Sequence, residues 1–451
     1  MKQLFKHFAL LVMGALISGC AAEVDDLQPT TNGTVTMKTT ISLSEQASTR
    51  ALTEAGVKTF ATGDKIAVIY KNTSDETVKV ESTALTATDI DATDAHKATF
   101  SVSLTNPKAG TPVRYIYPAA MAVTTIATDA AIDDAATIDY TKLATQDGTL
   151  TTLANTLDLS VFDGSLTSEA TLPNTATLAN QLTIGKFTIT NSATDADITN
   201  TITKLTISNS VDTYTVNTSS LSTIYVAMRP FSGTFVFDAT TASKTYFKNA
   251  TGKTLSAGNL YSISVSMAEP VIGYVFCSDG SIYASKDAAT TAGKTPVAMI
   301  CYVGSASDCA HGLAIALEDV SDIKLHWNNS GTNNDSKTAT EWCSAWNTSK
   351  AVTGGTWRLP SLKDWQYMLI GCGASGSYND NPNIGDSMSY SELASKLSTA
   401  QGTALREDFY WSSMESNPGS DAWGLLFNGS NAGFATGFEG YGFYVRACLA
   451  F

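Results

Sequence analysis

The chain has 451 residues, of which only 16% are charged, and a net charge of −14. That length is too great for one compact core and suits about three domains. An acidic balance without a basic cluster excludes a surface built for a phosphate backbone, so no nucleic-acid partner is expected. Thr, Ser, Ala and Asp prevail over the first two thirds. Alternating Val, Ile, Leu, Tyr and Phe persist there, which argues for many solvated strands over disorder. All seven Trp lie at or after Trp327, and six of the seven Cys lie between Cys277 and Cys448, the seventh being Cys20. So abrupt a shift marks a domain boundary near residue 270. Six Cys in an exported domain suggest disulfides, with free buried thiols as the alternative.

At the N-terminus, Lys2 and Lys6 precede an apolar run over residues 8–17, too short to span a bilayer as a mature helix. Leu16-Ile17-Ser18-Gly19-Cys20 then resembles a lipobox. The resemblance implies a lipoprotein signal peptide over 1–19 and acylation of Cys20 by diacylglycerol and palmitate. Each buried CH₂ of such chains adds about 0.8 kcal/mol of membrane affinity. An ordinary secretory signal with an incidental Cys is the plainer alternative. Glu23, Asp25 and Asp26 resemble the surface-export signal of Bacteroides-type lipoproteins, which implies an outer membrane lipoprotein on the cell surface. Residues 20–50 read as a polar leader that ends at Arg50, ahead of Ala51.

The next stretch is β-rich. Gly63-Asp64 is a turn before a strand over 66–70, residues 98–104 alternate at period two, and 113–117 form a strand stopped by Pro118. Residues 120–180 are low in complexity and predict loops and short strands. Further strands are predicted over 182–190, 202–208, 213–216, 224–228, 234–238 and 244–247, and the stretch 255–265 closes the set. Together they predict two tandem antiparallel β-sandwiches over 51–181 and 182–268. Gly63-Asp64-Lys65-Ile66, Tyr115-Ile116-Tyr117-Pro118 and Ala257-Gly258-Asn259-Leu260-Tyr261 resemble the fimbrillin family of pilins, whose domains are transthyretin-like sandwiches. In that family an Arg-specific protease removes an N-terminal strand, and a neighbouring subunit's strand fills the groove. The resemblance places the cut between Arg50 and Ala51 and implies other pilin subunits as partners. An exposed Arg in a linker, and a generic pair of exported sandwiches, are the plainer readings. Gly252-Lys253-Thr254 and Gly293-Lys294-Thr295 lack the leading Gly of a phosphate loop and read as turns.

Residues 270–451 read as α+β. Asp279-Gly280 is a hairpin turn, and 296–303 and 312–317 are strands. Thr338 with Glu341 forms a capping-box pattern for a helix running to residue 348. Ser361 with Asp364 caps a second helix, on which Trp365, Met368, Leu369 and Cys372 share a face, and Ser389 to Glu392 opens a third. Strands at 410–413, 422–427 and 441–449 close the chain. Trp357-Arg358-Leu359-Pro360, Tyr410-Trp411-Ser412-Ser413 and Tyr444-Val445-Arg446-Ala447 resemble a C-type-lectin-like domain, with formylglycine-generating-enzyme-like domains as a cousin. The resemblance implies a disulfide between Cys343 and Cys448.

Trp357, Trp365, Trp411 and Trp423 read as framework more than as ligand platforms. Candidate ligand residues are Glu415, Asn417, Ser420, Asp421, Asn428, Asn431, Phe434, Phe438, Glu439 and Tyr441, whose amides, carboxylates and rings suit a glycan or a protein; solvated loops are the plainer reading. No Glu-Pro-Asn, Gln-Pro-Asp or Trp-Asn-Asp triplet supports calcium, and four His without a His-Glu-x-x-His or Cys-x-x-Cys pattern argue against zinc. There is no Gly-x-Ser-x-Gly elbow. No cofactor, metal or enzyme activity is expected. The expectation is a fimbrial subunit, a tip adhesin joined by strand exchange whose lectin-like head binds a host or microbial glycan or protein. A pilus anchor or stand-alone lipoprotein with a structural head is the first alternative. The second follows from a resemblance of the closing strands to lectin folds diversified by retroelements.

Overall fold

The computed structural model describes residues 33–43, 59–328 and 337–451. Cys20, Arg50 and Ala51 therefore lie outside the described residues. The described chain is mainly β.

Its first sheet contains β1 (Thr34–Leu43), β2 (Ala67–Lys71), β3 (Thr77–Glu81), β4 (Lys97–Thr105) and β5 (Pro112–Tyr117). Short helical turns α1 (Asp134–Thr137) and α2 (Leu150–Thr152) and the two-residue strand β6 (Thr145–Gln146) follow, then β7 (Ser160–Ser165) and β8 (Thr175–Asn180). The strand order is β3-β2-β5-β7-β8-β1-β4. On β1, Met37, Thr39, Ile41 and Leu43 point into the core. Its outer face forms a hydroxyl ladder with β4: Thr34 to Thr105 at 2.9 Å, Thr36 to Ser103 at 2.8 Å and Thr40 to Thr99 at 3.1 Å. β2 reads as an unbroken apolar run because both its faces are covered. Val68 and Tyr70 face one core, while Ala67 and Ile69 face another.

That second core belongs to β9 (Thr183–Asn191), β10 (Lys204–Ser208), β11 (Thr213–Asn217), β12 (Ile224–Met228), β13 (Phe231–Thr240), β14 (Thr245–Leu255) and β15 (Leu260–Met267). They form two sheets, β14-β13-β10-β11-β6 and β12-β9-β15. The chain leaves the first sheet after Asn180 and enters the second pair at Thr183. Within the stretch 120–180, for which the sequence predicts loops and short strands, Met121, Ile138, Leu143, Leu153 and Leu157 join this core. β6 crosses over to extend the second sandwich. Gln146 pins it there, donating Nε2 to Ala227 O at 2.8 Å and accepting the Ala227 N–H at 2.9 Å.

The remaining chain is α+β. It contains β16 (Val275–Cys277), β17 (Ile282–Tyr283), α3 (Lys286–Thr291), β18 (Pro296–Val303), β19 (Gly312–Ala316) and β20 (Leu325–His326). Then come α4 (Ala339–Ser349), β21 (Thr356–Arg358), α5 (Leu362–Cys372), β22 (Ser387–Ser389) and α6 (Ser391–Thr399). A meander of β23 (Phe409–Asn417), β24 (Asp421–Asn428) and β25 (Asn431–Phe438) precedes β26 (Gly442–Phe443) and β27 (Cys448–Ala450). The sheet β17-β16-β18-β19-β27-β21 has α5 and α6 on one face and α4 on the other. Both capping boxes form, at Thr338 with Glu341 and at Ser361 with Asp364. The third helix, α6, opens with Tyr390 at its N-cap and no side-chain cap.

Cys343 and Cys448 are free thiols here, against the expected bond. Alternation along β27 explains it. Cys448 pairs with Ile315 and Arg358 and points to the α5 face, while Leu449 points to the α4 face, where Cys343 packs. Burial pushes both thiols well above their ordinary range.

The second sandwich meets this unit at Phe247 on β14, which stacks on His311 at 4.6 Å and on Phe451 at 5.6 Å. Within the unit, Arg446 is fully buried. Its guanidinium meets Asp319 at 2.7 Å and the carbonyls of Ala316 and Thr403 at 3.0 Å each. Removing one partner of a buried ion pair strands the other. We expect Arg446→Ala to cost about 3–5 kcal/mol in denaturant unfolding; a loss below about 1 kcal/mol would show the pair to be dispensable.

Candidate functional site

The frame of the third unit is set by Trp357-Arg358-Leu359-Pro360. Trp357 Nε1 donates to Lys350 O at 2.8 Å, and Asn347 holds the Trp357 backbone from both sides, at 2.7 and 2.9 Å. Arg358 reaches forward to Asp364, donating Nη2 to Oδ1 at 2.6 Å and Nε to Oδ2 at 3.2 Å. Trp357, Trp365 and Trp411 are fully buried, and Trp423 is half-buried.

The meander carries the candidate ligand residues, and the structure divides them. Asn417, Asp421 and Phe438 lie side by side across β23, β24 and β25. Glu415, Ser420, Glu439 and Tyr441 belong to the same end. Asn428 and Asn431 face each other at the opposite turn, beside Ser389 of β22. The eight residues of β24 separate the two ends by roughly 23 Å. Phe434 is not a surface residue: it is 4% exposed and packs in the α5 core opposite Leu425. The candidate set thus reduces to one end of the meander, with the Asn428–Asn431 turn outside it.

Small residues shape the inner face at that end. Gly424, Gly437 and Ala422 leave room for Trp411 and Phe443, whose rings stack at 4.0 Å. Trp411 Nε1 donates to Leu325 O at 2.8 Å, and Trp327 Nε1 donates to Ser412 O at 2.7 Å. Beyond this stack lies Glu439, 2% exposed. Its N–H donates to Ser420 O at 2.9 Å, and its carbonyl accepts the Trp327 N–H at 3.0 Å. Asn328 Nδ2 donates to its Oε2, while Oε1 is buried without a partner. Burial and repulsion from Glu415 and Asp421 push this carboxyl up, against the Asn328 hydrogen bond. Phe438 and Tyr441 form the outer lip, 48% and 61% exposed, with ring centres 5.6 Å apart.

Sequence reasoning did not select Trp327 or Asn328. Nothing in His326-Trp327-Asn328 distinguishes it from a polar loop; only the pairing of β20 with β26 brings it under Glu439. Among the described residues, no group of three or more His, Cys, Asp and Glu is placed to hold a metal ion. Among the same residues, no helix is long and apolar enough to cross a membrane.

A concavity of about 570 Å³ opens between β13–β14 and β15, lined by Phe187, Met228, Phe235, Phe237 and Ile263 among others.

No family model matches the chain, and no curated protein matches it. Among solved structures, a fimbrial protein from Bacteroides ovatus is similar at 14% identity, over 94% of this chain and 100% of its own, with a TM-score of 0.33. A fimbrial assembly protein from Parabacteroides distasonis is similar at 13% identity, over 51% of this chain and 90% of its own, with a TM-score of 0.28.

A side chain at Gly437 would meet Phe443 at 2.5 Å and Trp411 at 3.4 Å. We expect Gly437→Val to cost about 1–3 kcal/mol and to change tryptophan fluorescence. An unchanged melting curve and emission spectrum would mean that the stack is not tightly held.

Proposed function

We propose that the chain is a cell-surface pilus subunit, assembled by strand exchange, whose third unit is a lectin-like ligand-binding head. One observation carries this reading. β1 precedes Arg50 in sequence yet lies inside the first sheet, antiparallel to β4 from Thr34↔Thr105 to Ser42↔Lys97 and parallel to β8 from Thr40↔Thr175 to Leu43↔Leu178. A cut after Arg50 severs β1 from the body without breaking any other described strand. Loss of β1 uncovers the backbone donors and acceptors of β4 and β8, together with the pockets of Met37, Ile41 and Leu43. Those pockets are worth about 1.5–3 kcal/mol each. An open edge with spaced apolar pockets is what an extended strand from another subunit fills. The lipobox at Cys20 supports export to the outer membrane and surface by a lipid anchor. The head, following the sandwiches in the chain, supports a tip adhesin that binds a glycan or protein through the end of the meander.

The test is to nick the purified chain with an Arg-specific protease and follow its stability. We expect the cut form to begin at Ala51, to melt at a temperature that rises with its own concentration, and to be restabilised by a synthetic peptide of residues 33–43. Arg50→Ala should resist the cut and stay monomeric. A nicked chain that sheds residues 1–50 with no loss of stability, and takes up no peptide, would remove strand exchange from the proposal. So would cells on which every surface copy still begins at acylated Cys20.

A further inference from the structure

We infer that the acidic end of the meander around Glu439 receives an arginine side chain of a protein partner. The inference rests on the reading of the third unit as a ligand-binding head and names the chemistry of its ligand.

The first support is the unfinished state of Glu439. The residue is almost wholly covered, its backbone is held at both N–H and C=O, and Oε2 is engaged by Asn328. Oε1 is nevertheless buried without a donor. A covered carboxylate oxygen in that state destabilises the fold, and replacing it by an amide is a simple remedy. Its backbone anchors keep it from swinging out to water, so a donor has to come to it.

The second support is charge. Among the described residues, none of Glu415, Asp421 and Glu439 forms an ion pair with a basic side chain, although most Lys and Arg elsewhere are paired. Asp421 is oriented by Ser420, whose Oγ donates to it at 2.9 Å while accepting from Asn417 Nδ2 at 2.7 Å. This end of the meander is therefore acidic, in a chain whose net charge of −14 draws cations toward it.

The third support is the lip. Two exposed rings beside uncompensated carboxylates favour a cation that can lie on an aromatic face. Guanidinium does this better than ammonium, because it is planar, weakly hydrated and presents several N–H donors at once. A metal ion is disfavoured, since no converging ligand set exists among the described residues. A neutral sugar would supply hydroxyl donors but would leave the carboxylates uncompensated.

The experiment uses the full chain, titrated with argininamide and with citrullinamide, its uncharged isostere, while tryptophan fluorescence or NMR is recorded. Saturable binding of argininamide is expected, at least about tenfold tighter than citrullinamide. Glu439→Gln should weaken it by about tenfold or more, and Phe438→Ala with Tyr441→Ala should weaken it as well. Glu439→Gln should also raise the melting temperature by a few degrees, roughly, because it removes an unpaired buried charge. That readout separates a ligand-facing carboxylate from a structural one, whose loss would lower the melting temperature. Equal binding of the two amides, parent-like binding by both variants, or tighter binding of glucosamine than of argininamide would overturn the inference. The same samples are applied to mucin and to cells. Adhesion that persists without arginine selectivity leaves the adhesin reading standing and removes this inference. Arginine-selective binding without adhesion does the reverse.

Discussion

Asp364 is the residue on which the third unit turns. Its side chain is almost fully buried, yet every oxygen is used. Oδ1 accepts from Ser307 Oγ at 2.7 Å and from Arg358 Nη2, and Oδ2 accepts from the Ser361 N–H at 2.9 Å and from Arg358 Nε. One carboxylate thus caps α5, ties α5 to β21 and closes the loop after β18, because Arg358 also binds the carbonyls of Ser307 and Asp308. A buried charge is tolerable when paired and hydrogen-bonded in this way. Gly371 then lets α5 lie directly on β18, since a Cβ there would meet Cys301 O at 2.2 Å. With α5 placed, Trp365 and Met368 fill the core on which β24 and β25 lie.

Asp364 and Glu439 make an instructive pair. Both are acidic and covered, and both sit in the same unit. Asp364 lies among its own donors, with Ser307, Arg358 and Ser361 all within 60 residues of it. Glu439 lies one layer below the surface with a single side-chain donor, from Asn328, and two acidic neighbours. A fold under selection for stability alone removes such an imbalance readily. Among the described residues of this unit, Glu439 is the buried carboxylate that internal contacts leave incomplete.

Local signals were easy to read because they act over few residues. The capping boxes at Thr338 and Ser361, the period-two strand over 98–104 and the framework tryptophans each state their role within a turn or a strand. What escaped depends on long-range pairing. Cys343 and Cys448 looked matched in sequence, but the parity of β27 puts them on opposite faces of one sheet. Phe434 looked like a loop aromatic until its register with Leu425 turned it inward. Residues 120–180 read as low-complexity loops and short strands, yet Met121, Ile138, Leu143, Leu153 and Leu157 from that stretch join the core of the second sandwich. Asn328 was invisible for the same reason: its partner lies 111 residues away. β1 carries alternation in Thr34 to Leu43, but its threonines resemble those of the surrounding leader, so composition hid it.

The two proposed contacts of this chain differ in what they ask of a partner. A slot vacated by β1 offers mainly backbone hydrogen bonds, which any extended strand satisfies, with a few apolar pockets to set register. Its selectivity is necessarily broad, and its strength comes from length: nine paired positions with β4 alone. The acidic end at Glu439 offers three carboxylates and two rings, too small a surface to hold a protein by itself. Its strength is therefore modest and its selectivity sharp, because an uncharged ligand leaves the carboxylate as unsatisfied as before. A subunit that must stay in a fibre yet release and rebind its target needs this division. A long strand contact holds the subunit, and a small charged site, repeated or supported by weaker neighbouring contacts, does the sampling.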